Sequence, residues 1–299
     1  MACAEMMPKI SVLTVTCRAD PKVYAYMVQA LNNQKFRDFE WKLVDDHYEQ
    51  TKDMVKKLVA DTFLCVHMPP QIIPPYFARA AALNDGLTYC DGKIVYFMCD
   101  YSIPMPECLG RHWEVQERYG GVMLTGRRVK IEMELEEFLR KVKVDEPVQW
   151  SDFNIQFFET GDGNGWKLEW KRLTKNIYEV VDKVDGAKRF MTGRNDSCPL
   201  DVLLKVNGVN EVFDGCWGQD DPDLDVRLMA SGMRFLIDKG SQCLELPHKS
   251  AEKKQVRSHE DSVLLADMVA KWGIEANRKW VIAMPRDLKA EREELRKGH

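Results

Sequence analysis

The chemistry-bearing residues of this chain are most concentrated in Trp217-Gly218-Gln219-Asp220-Asp221-Pro222-Asp223-Leu224, with His248 standing 27 residues beyond Asp221. Three acids within four positions repel one another unless a cation, a hydroxyl donor or solvent takes up the negative potential. A solvated acidic loop is the simplest outcome; a bound cation or a bound hydroxyl is the chemical one. Asp223, nearest the apolar stretch that follows, reads as a helix-start acid opposing the helix dipole. Asp220 and Asp221 remain for chemistry. Further acids stand at Asp45-Asp46 and at Asp100, each at the end of an apolar run.

Those runs define the elements that must position the acids. Ile10 to Thr16 is a β-branched stretch of the kind found in buried parallel strands. A helical pattern follows Asp20-Pro21, with Val23, Met27, Ala30 and Leu31 on one face. Phe39 to Val44 predicts a second strand, Met54 to Val59 a helix, Phe63 to Val66 a strand, Phe77 to Leu87 a helix and Ile94 to Met98 a strand. This alternation predicts an α/β protein with a Rossmann-like, mostly parallel sheet. Ligands bind such sheets beyond the carboxyl ends of the strands, where Thr16, Arg18, Asp45, Asp46 and Asp100 all fall. Between 127 and 190 the pattern changes. Val148 to Phe158 and Trp166 to Trp170 flank a glycine-rich turn at 161–165, which predicts a β-rich insertion. Beyond 250 a charged helical extension is expected, with Val263, Leu264, Met268 and Trp272 facing inward.

Composition bounds the remainder. At 299 residues and a net charge of −4 the chain carries no overall electrostatic footprint for nucleic acid. Its tail from His248 onward is slightly basic, with 12 Lys/Arg against 9 Asp/Glu. The nine cysteines are odd in number and contain no C-x-x-C pair, which argues against a disulfide framework and for a reducing compartment. No apolar run approaches the ~20 residues that span a bilayer, and no signal peptide is legible, so the expected location is cytoplasmic.

Four segments in order resemble the inverting GT-A glycosyltransferases, glycosyltransferase family 2 in particular. Ile10-Ser11-Val12-Leu13-Thr14-Val15-Thr16 is similar to that family's first strand. Gln34 to Trp41 with Leu43-Val44-Asp45-Asp46 is similar to its nucleotide-contacting segment, and Asn84-Asp85-Gly86-Leu87 with Ile94 to Met98 to the next. Val206 to Glu211, Trp217 to Asp221 and Arg227-Leu228 are similar to its acceptor segment. That last part also resembles the C-terminal domain of the β-1,4-galactosyltransferases, in which a later His binds metal; His248 stands in its place. Two positions depart from the pattern. The metal-binding D-x-D falls on Cys99-Asp100-Tyr101, and the arginine that precedes the asparagine is Leu83, with Arg79 one helical turn earlier.

The resemblance implies transfer of a sugar from an NDP-sugar, UDP-linked by expectation, to a hydroxyl. It implies a nucleotide-sugar-binding half at 1–126, the insertion at 127–190, an acceptor and catalytic half at 191–250 and the helical extension at 251–299. Donor contacts are expected from Thr16, Arg18, Asp45, Asp46, Arg79, Asn84 and Asp100, with Asp45 nearest the uracil. Mn²⁺ or Mg²⁺ is expected at Asp100 and His248, the histidine suiting Mn²⁺. Asp221 is expected as the general base, with Asp220 holding the acceptor hydroxyl, and direct attack then inverts the anomeric carbon. Trp217, Gly218 and Asn195 are expected at the acceptor, although a tryptophan equally fits a core and Asn195 a turn. Arg127-Arg128 either touches phosphate or is solvated. The acceptor is a glycan or polysaccharide precursor, or a hydroxymethylated base in DNA, which the net charge disfavours. The alternative is a degenerate, non-catalytic module that binds nucleotide or glycan.

Overall fold

The β-branched run at the start of the chain forms the middle of a sheet. Strand β1 (Ile10–Thr16) pairs in parallel with β2 (Phe39–Asp45) on one side and with β4 (Ile94–Phe97) on the other. Strand β3 (Leu64–Met68) pairs with β2, again in parallel. The computed structural model describes residues 7–76, 78–131, 137, 155–158, 170–180, 193–215, 220–246 and 286–297. Helices α1 (Pro21–Asn32), α2 (Tyr48–Leu58) and α3 (Arg79–Tyr89) connect these strands. The start of α1 follows from its sequence: Pro21 supplies a preset φ, and the Asp20 carboxylate accepts the Lys22 N–H at 2.9 Å. The face expected to be apolar, Val23, Met27, Ala30 and Leu31, is buried. Gly86 of α3 lies against β1 so closely that a Cβ there would meet Leu13 Cδ1 at 2.3 Å.

After β4 come the short β5 (Ser102–Pro104), α4 (Cys108–Tyr119) and the long β6 (Val122–Ile131). The described strands of the 127–190 segment are β7 (Ile155–Phe158), β8 (Trp170–Arg172) and β9 (Ile177–Val180). They extend the central sheet: β7 pairs with β6, and β9 joins β8 to the last strand. The turn at 161–165 lies outside the described residues. Next follow β10 (Asp196–Pro199), α5 (Leu200–Lys205), a single 3-10 turn (Glu211–Phe213), α6 (Asp220–Ala230), β11 (Arg234–Glu245) and α7 (Leu288–Lys297).

The strand order is β3-β2-β1-β4-β10-β6-β11-β9-β8. The α/β expectation holds, with one change. The parallel run covers the first hundred residues, but β10 inserts antiparallel between β4 and β6, so the sheet as a whole is mixed. Only β6 and β11 resume the parallel pairing among the described later strands. One apolar layer packs α1, α2 and α4 on one face, through Tyr24, Met27, Leu31, Val55 and Leu109. The other packs α3, α5, α6 and α7 on the opposite face, through Leu83, Leu87, Leu203, Leu224 and Leu288. Helix α7 therefore returns to the first half of the chain. Arg286 reaches Asp85 at 2.7 Å and Arg292 the Thr88 carbonyl at 2.9 Å. The inward-facing residues expected at 263–272 lie outside the described residues. No helix among those described is long and apolar enough to cross a membrane.

Candidate active site

The parallel strands place their carboxyl ends on one edge, and three expected residues meet there. Thr16 ends β1 and stands in register with Asp45 at the end of β2. Asp100 follows β4. The Thr16 hydroxyl donates to Asp100 Oδ2 at 2.9 Å, and Arg18 Nε lies 3.0 Å from the same oxygen. Arg18 is also ordered by its N–H, which donates to Thr16 Oγ1. Asp46, half-buried, gives its backbone N–H to the Thr16 carbonyl at 3.0 Å.

Asp45 is placed otherwise than expected. It is 0% exposed, and its carboxylate is taken up by the protein. Oδ2 lies 2.5 Å from Thr51 Oγ1, 2.8 Å from the Tyr24 hydroxyl and 2.9 Å from His67 Nε2, while Oδ1 accepts the His47 N–H at 2.8 Å. Burial alone would raise its pKa, but the hydrogen bonds from His67, Thr51, His47 and Tyr24 outweigh it and hold it below the usual carboxylate range. Asp45 therefore ties β2 to α1, α2 and β3 and stiffens the wall behind Thr16.

The acidic pair sits on the other side of the same edge. Asp220 and Asp221 open α6 and are nearly buried. Arg79, at the start of α3, gives one nitrogen, Nη1, to both: to Asp220 Oδ2 and to Asp221 Oδ1 at 2.9 Å. Burial works against the guanidinium charge, and the carboxylates of Asp221 and Asp220 overcome it, holding Arg79 well above its ordinary pKa. The N-terminus of α3 is capped at long range: Asp214 accepts the N–H groups of Ala80 at 2.8 Å and Ala81 at 3.0 Å. Burial pushes Asp214 up to about 7 in spite of those bonds, helped by Asp220 and Glu211. Gly193 backs the arginine with φ +65°; a Cβ there would meet Arg79 Nη2 at 2.0 Å. The Gly193 carbonyl accepts from Cys99 Sγ at 2.9 Å. An unbroken chain of contacts thus runs from Asp221 through Arg79, Gly193 and Cys99 to Asp100 and Thr16.

A third group of charges borders Asp100. The Tyr101 ring meets two guanidinium groups, that of Arg18 at 5.9 Å from its centroid and that of Arg194 at 5.2 Å. Arg194 also donates to the Tyr101 hydroxyl at 3.0 Å and to Glu245 at 3.1 Å, and Arg128 pairs with Glu245 at 3.4 Å. Burial pushes the Cys99 thiol up to about 11, so it is neutral near pH 7. Among the described residues no group of three His, Cys, Asp or Glu side chains is gathered that could hold a metal.

Two further expected site residues carry structural bonds. Asn84, expected at the donor, ties α3 to the segment before the 3-10 turn. Its Nδ2 donates to the Val209 carbonyl and to Glu211, and its Oδ1 accepts the Val209 N–H, each at 2.8 Å. Asn195, expected at the acceptor, is 0% exposed. It donates to the Arg127 carbonyl at 3.1 Å and accepts from Tyr96 and from His112 Nε2, each at 3.0 Å. Both amides are buried and bonded to the protein interior. Asp223 pairs with Arg227, as a helix-start acid can, at 2.7 Å. Trp217, Gly218 and His248 lie outside the described residues. Asp214 and Gly193 were not singled out from the sequence. Gly193 stood in the turn-like Thr192-Gly193-Arg194-Asn195, whereas nothing local marks Asp214 as the cap of a helix more than a hundred residues earlier.

The glycosyl transferase family 2 profile matches residues 11–167, more than half of the chain. Among solved structures, S. aureus TarS 1–349 in complex with UDP-GlcNAc superposes with a TM-score of 0.60 at 10% identity, over 87% of this chain and 66% of that one. GalNAc-T7 with UDP, GalNAc and Mn²⁺ gives 0.59 at 11% identity, over 84% of this chain and 45% of that one. This chain therefore spans less than two thirds of the length of these structures. At such identities the likeness is one of fold, the mixed α/β GT-A architecture. No curated protein matches the sequence.

Proposed function

The chain belongs to glycosyl transferase family 2, and from that premise we propose that it moves a sugar from a UDP-linked donor to an acceptor hydroxyl with inversion at the anomeric carbon. The observation that carries this reading is the line of contacts from Asp221 to Thr16. It joins a pair of acids to the strand ends where α/β sheets bind ligands. Thr16, Arg18, Asp46 and Asp100 receive the nucleotide diphosphate, with Asp45 fixing their support. Asp221 accepts the proton of the acceptor hydroxyl, and Asp220 holds that hydroxyl beside it. The oxygen attacks the anomeric carbon as the bond to the diphosphate breaks, with no enzyme-bound sugar. Trp217 and Gly218 are assigned to the acceptor.

The described residues gather no three-ligand metal group, so a divalent cation here would rest on Asp100 and the phosphates of the substrate. Asp100 supplies one carboxylate, and Mg²⁺ commonly takes one or two carboxylates with substrate phosphates and water; His248 is the second protein ligand proposed. When bound, such an ion supplies positive charge to the departing diphosphate. Arg18, 3.0 Å from Asp100, adds a fixed positive charge at the same place. The chain is divided functionally as a nucleotide-sugar half (1–126), an insertion (127–190), an acceptor half (191–250) and an extension (251–299).

The test is UDP release from a panel of NDP-sugars with Mn²⁺, with Mg²⁺ and with EDTA, alongside Asp221→Asn. Wild type releases UDP from one donor, and the variant falls by about 10²–10⁴-fold, the range for loss of a general base. Nucleotide binding without turnover on any donor and acceptor combination supports the non-catalytic module instead. Absence of nucleotide binding refutes the transferase reading.

A further inference from the structure

Arg79 stands where a donor-binding arginine was expected, yet one guanidinium nitrogen, Nη1, is committed to the acids. We infer that Arg79 is the positioning residue of the proposed base: it clamps Asp220 and Asp221 together, orients Asp221 through Oδ1, and does not bind the diphosphate. This rests on Asp221 being the base.

Three observations from different parts of the chain support it. First, a single nitrogen of Arg79 reaches a carboxylate oxygen of each acid. Two adjacent carboxylates repel, and a guanidinium shared between them offsets part of that repulsion while they are nearly buried. Bonding Asp221 through Oδ1 directs its other oxygen elsewhere. Second, Gly193 lies against the guanidinium from behind: a Cβ there would displace Nη2, and the positive φ of Gly193 is a conformation glycine adopts without strain. Third, the helix carrying Arg79 is pinned at its first turn by Asp214, which comes from the segment leading into α6. The clamp and the acids it holds are thus tied to one another at both ends. Among the described residues, the charged and titratable groups around this cluster include Cys99 after β4, Arg194 beside it, and Glu211 and Asp214 ahead of α6.

The inference separates from donor binding by experiment. Asp-selective ¹³C-carboxyl titration is followed by NMR in wild type, in Arg79→Gln and in Gly193→Ala, the last of which pushes the guanidinium away without removing it. Calorimetric UDP binding and a pH profile of UDP release are measured on the same proteins. In both variants the midpoint at which Asp221 takes up its proton rises by about 1–3 units, the range for losing an adjacent opposite charge. The acid limb of the rate profile moves the same way, kcat falls, and the affinity for UDP stays within about twofold of wild type. Arg79→Lys, folded to the same melting temperature, restores most of the midpoint because the charge returns. If Arg79→Gln does not fold, Gly193→Ala and Arg79→Lys carry the measurement. An unmoved midpoint overturns the inference. So does UDP binding weakened tenfold or more in Arg79→Gln, which would return the arginine to the diphosphate. Wild type that binds no UDP refutes the transferase reading itself, and the positioning role falls with it, whatever the carboxyl titration shows.

Discussion

Acidification is expected to loosen the loop behind the candidate site through one histidine. His112 of α4 is 0% exposed. Its Nε2 faces Asn195 Oδ1 at 3.0 Å, an acceptor, so Nε2 carries the proton and Nδ1 accepts from Ser197 Oγ at 2.7 Å. Burial pushes its pKa down to about 4 and Arg111 adds to this, against the opposing pull of Asn195 and Asp238. An unfolded histidine titrates near 6.5, so the difference is about 2.5 units, or about 3 kcal/mol at ~1.4 kcal/mol per unit. The sign follows from which state binds the proton. Above pH 6.5 both states are neutral and the stability is fully present. Between about 6.5 and about 4 the unfolded chain takes up a proton that the folded chain refuses, and stability is lost. His112→Gln keeps one donor and one acceptor but does not titrate. Urea unfolding at pH 7 and pH 4.5 should therefore show wild type losing about 2–3 kcal/mol more than the variant over that interval. Equal losses would refute the buried neutral imidazole. The consequence reaches the site because Asn195, which His112 supports, lies two residues beyond Gly193, the backstop of Arg79.

Asp214 acts in the opposite direction. Its carboxyl, raised to about 7 chiefly by burial, keeps a proton where the unfolded chain has lost it, so its contribution to stability is lost as pH rises from the carboxylate range through 7. Melting curves should show Asp214→Asn gaining on wild type between pH 4 and pH 8; a constant difference contradicts this. Thr16→Val removes the hydroxyl that joins Asp100 to the Arg18 N–H. It should cost about 1–3 kcal/mol of stability and weaken UDP binding measured by calorimetry; unchanged binding would remove Thr16 from the donor site. Leu288 is 0% exposed beneath α3 and α5, so Leu288→Ala should cost about 2–5 kcal/mol in chemical unfolding. A loss under about 1 kcal/mol would mean that α7 adds little to the fold.

Much of the architecture was legible before any coordinates. The alternation of β-branched runs with helical patterns through residue 98 located β1 to β4 to within two residues and the helices between them, although α2 begins at Tyr48, six residues ahead of the expected Met54. Placing Thr16, Asp45 and Asp100 at one edge followed from the parallel topology alone, since parallel strands all end on the same side. The apolar face of α1 could be read off because burial of a helix face repeats every three to four residues. The mixed character of the sheet could not. β10 is four residues long, Asp196 to Pro199, and a strand that short carries no mark of its direction.

Residue type and spacing by themselves determined which side chains could do chemistry: the acid pair at Asp220-Asp221, the acids at strand ends and the arginine near the start of α3. Tertiary structure decided which of them have chemistry left to do. Asp45, Asn84 and Asn195 look like ligand contacts in the sequence, and the structure shows each also bonded to partners from other elements. Arg79 and Asp221, separated by 142 positions, became one unit through a contact that no local pattern encodes. The reason is physical. Periodicity reports which face of an element is buried, whereas a hydrogen bond or ion pair depends on where another element, often more than a hundred residues away, comes to rest against it.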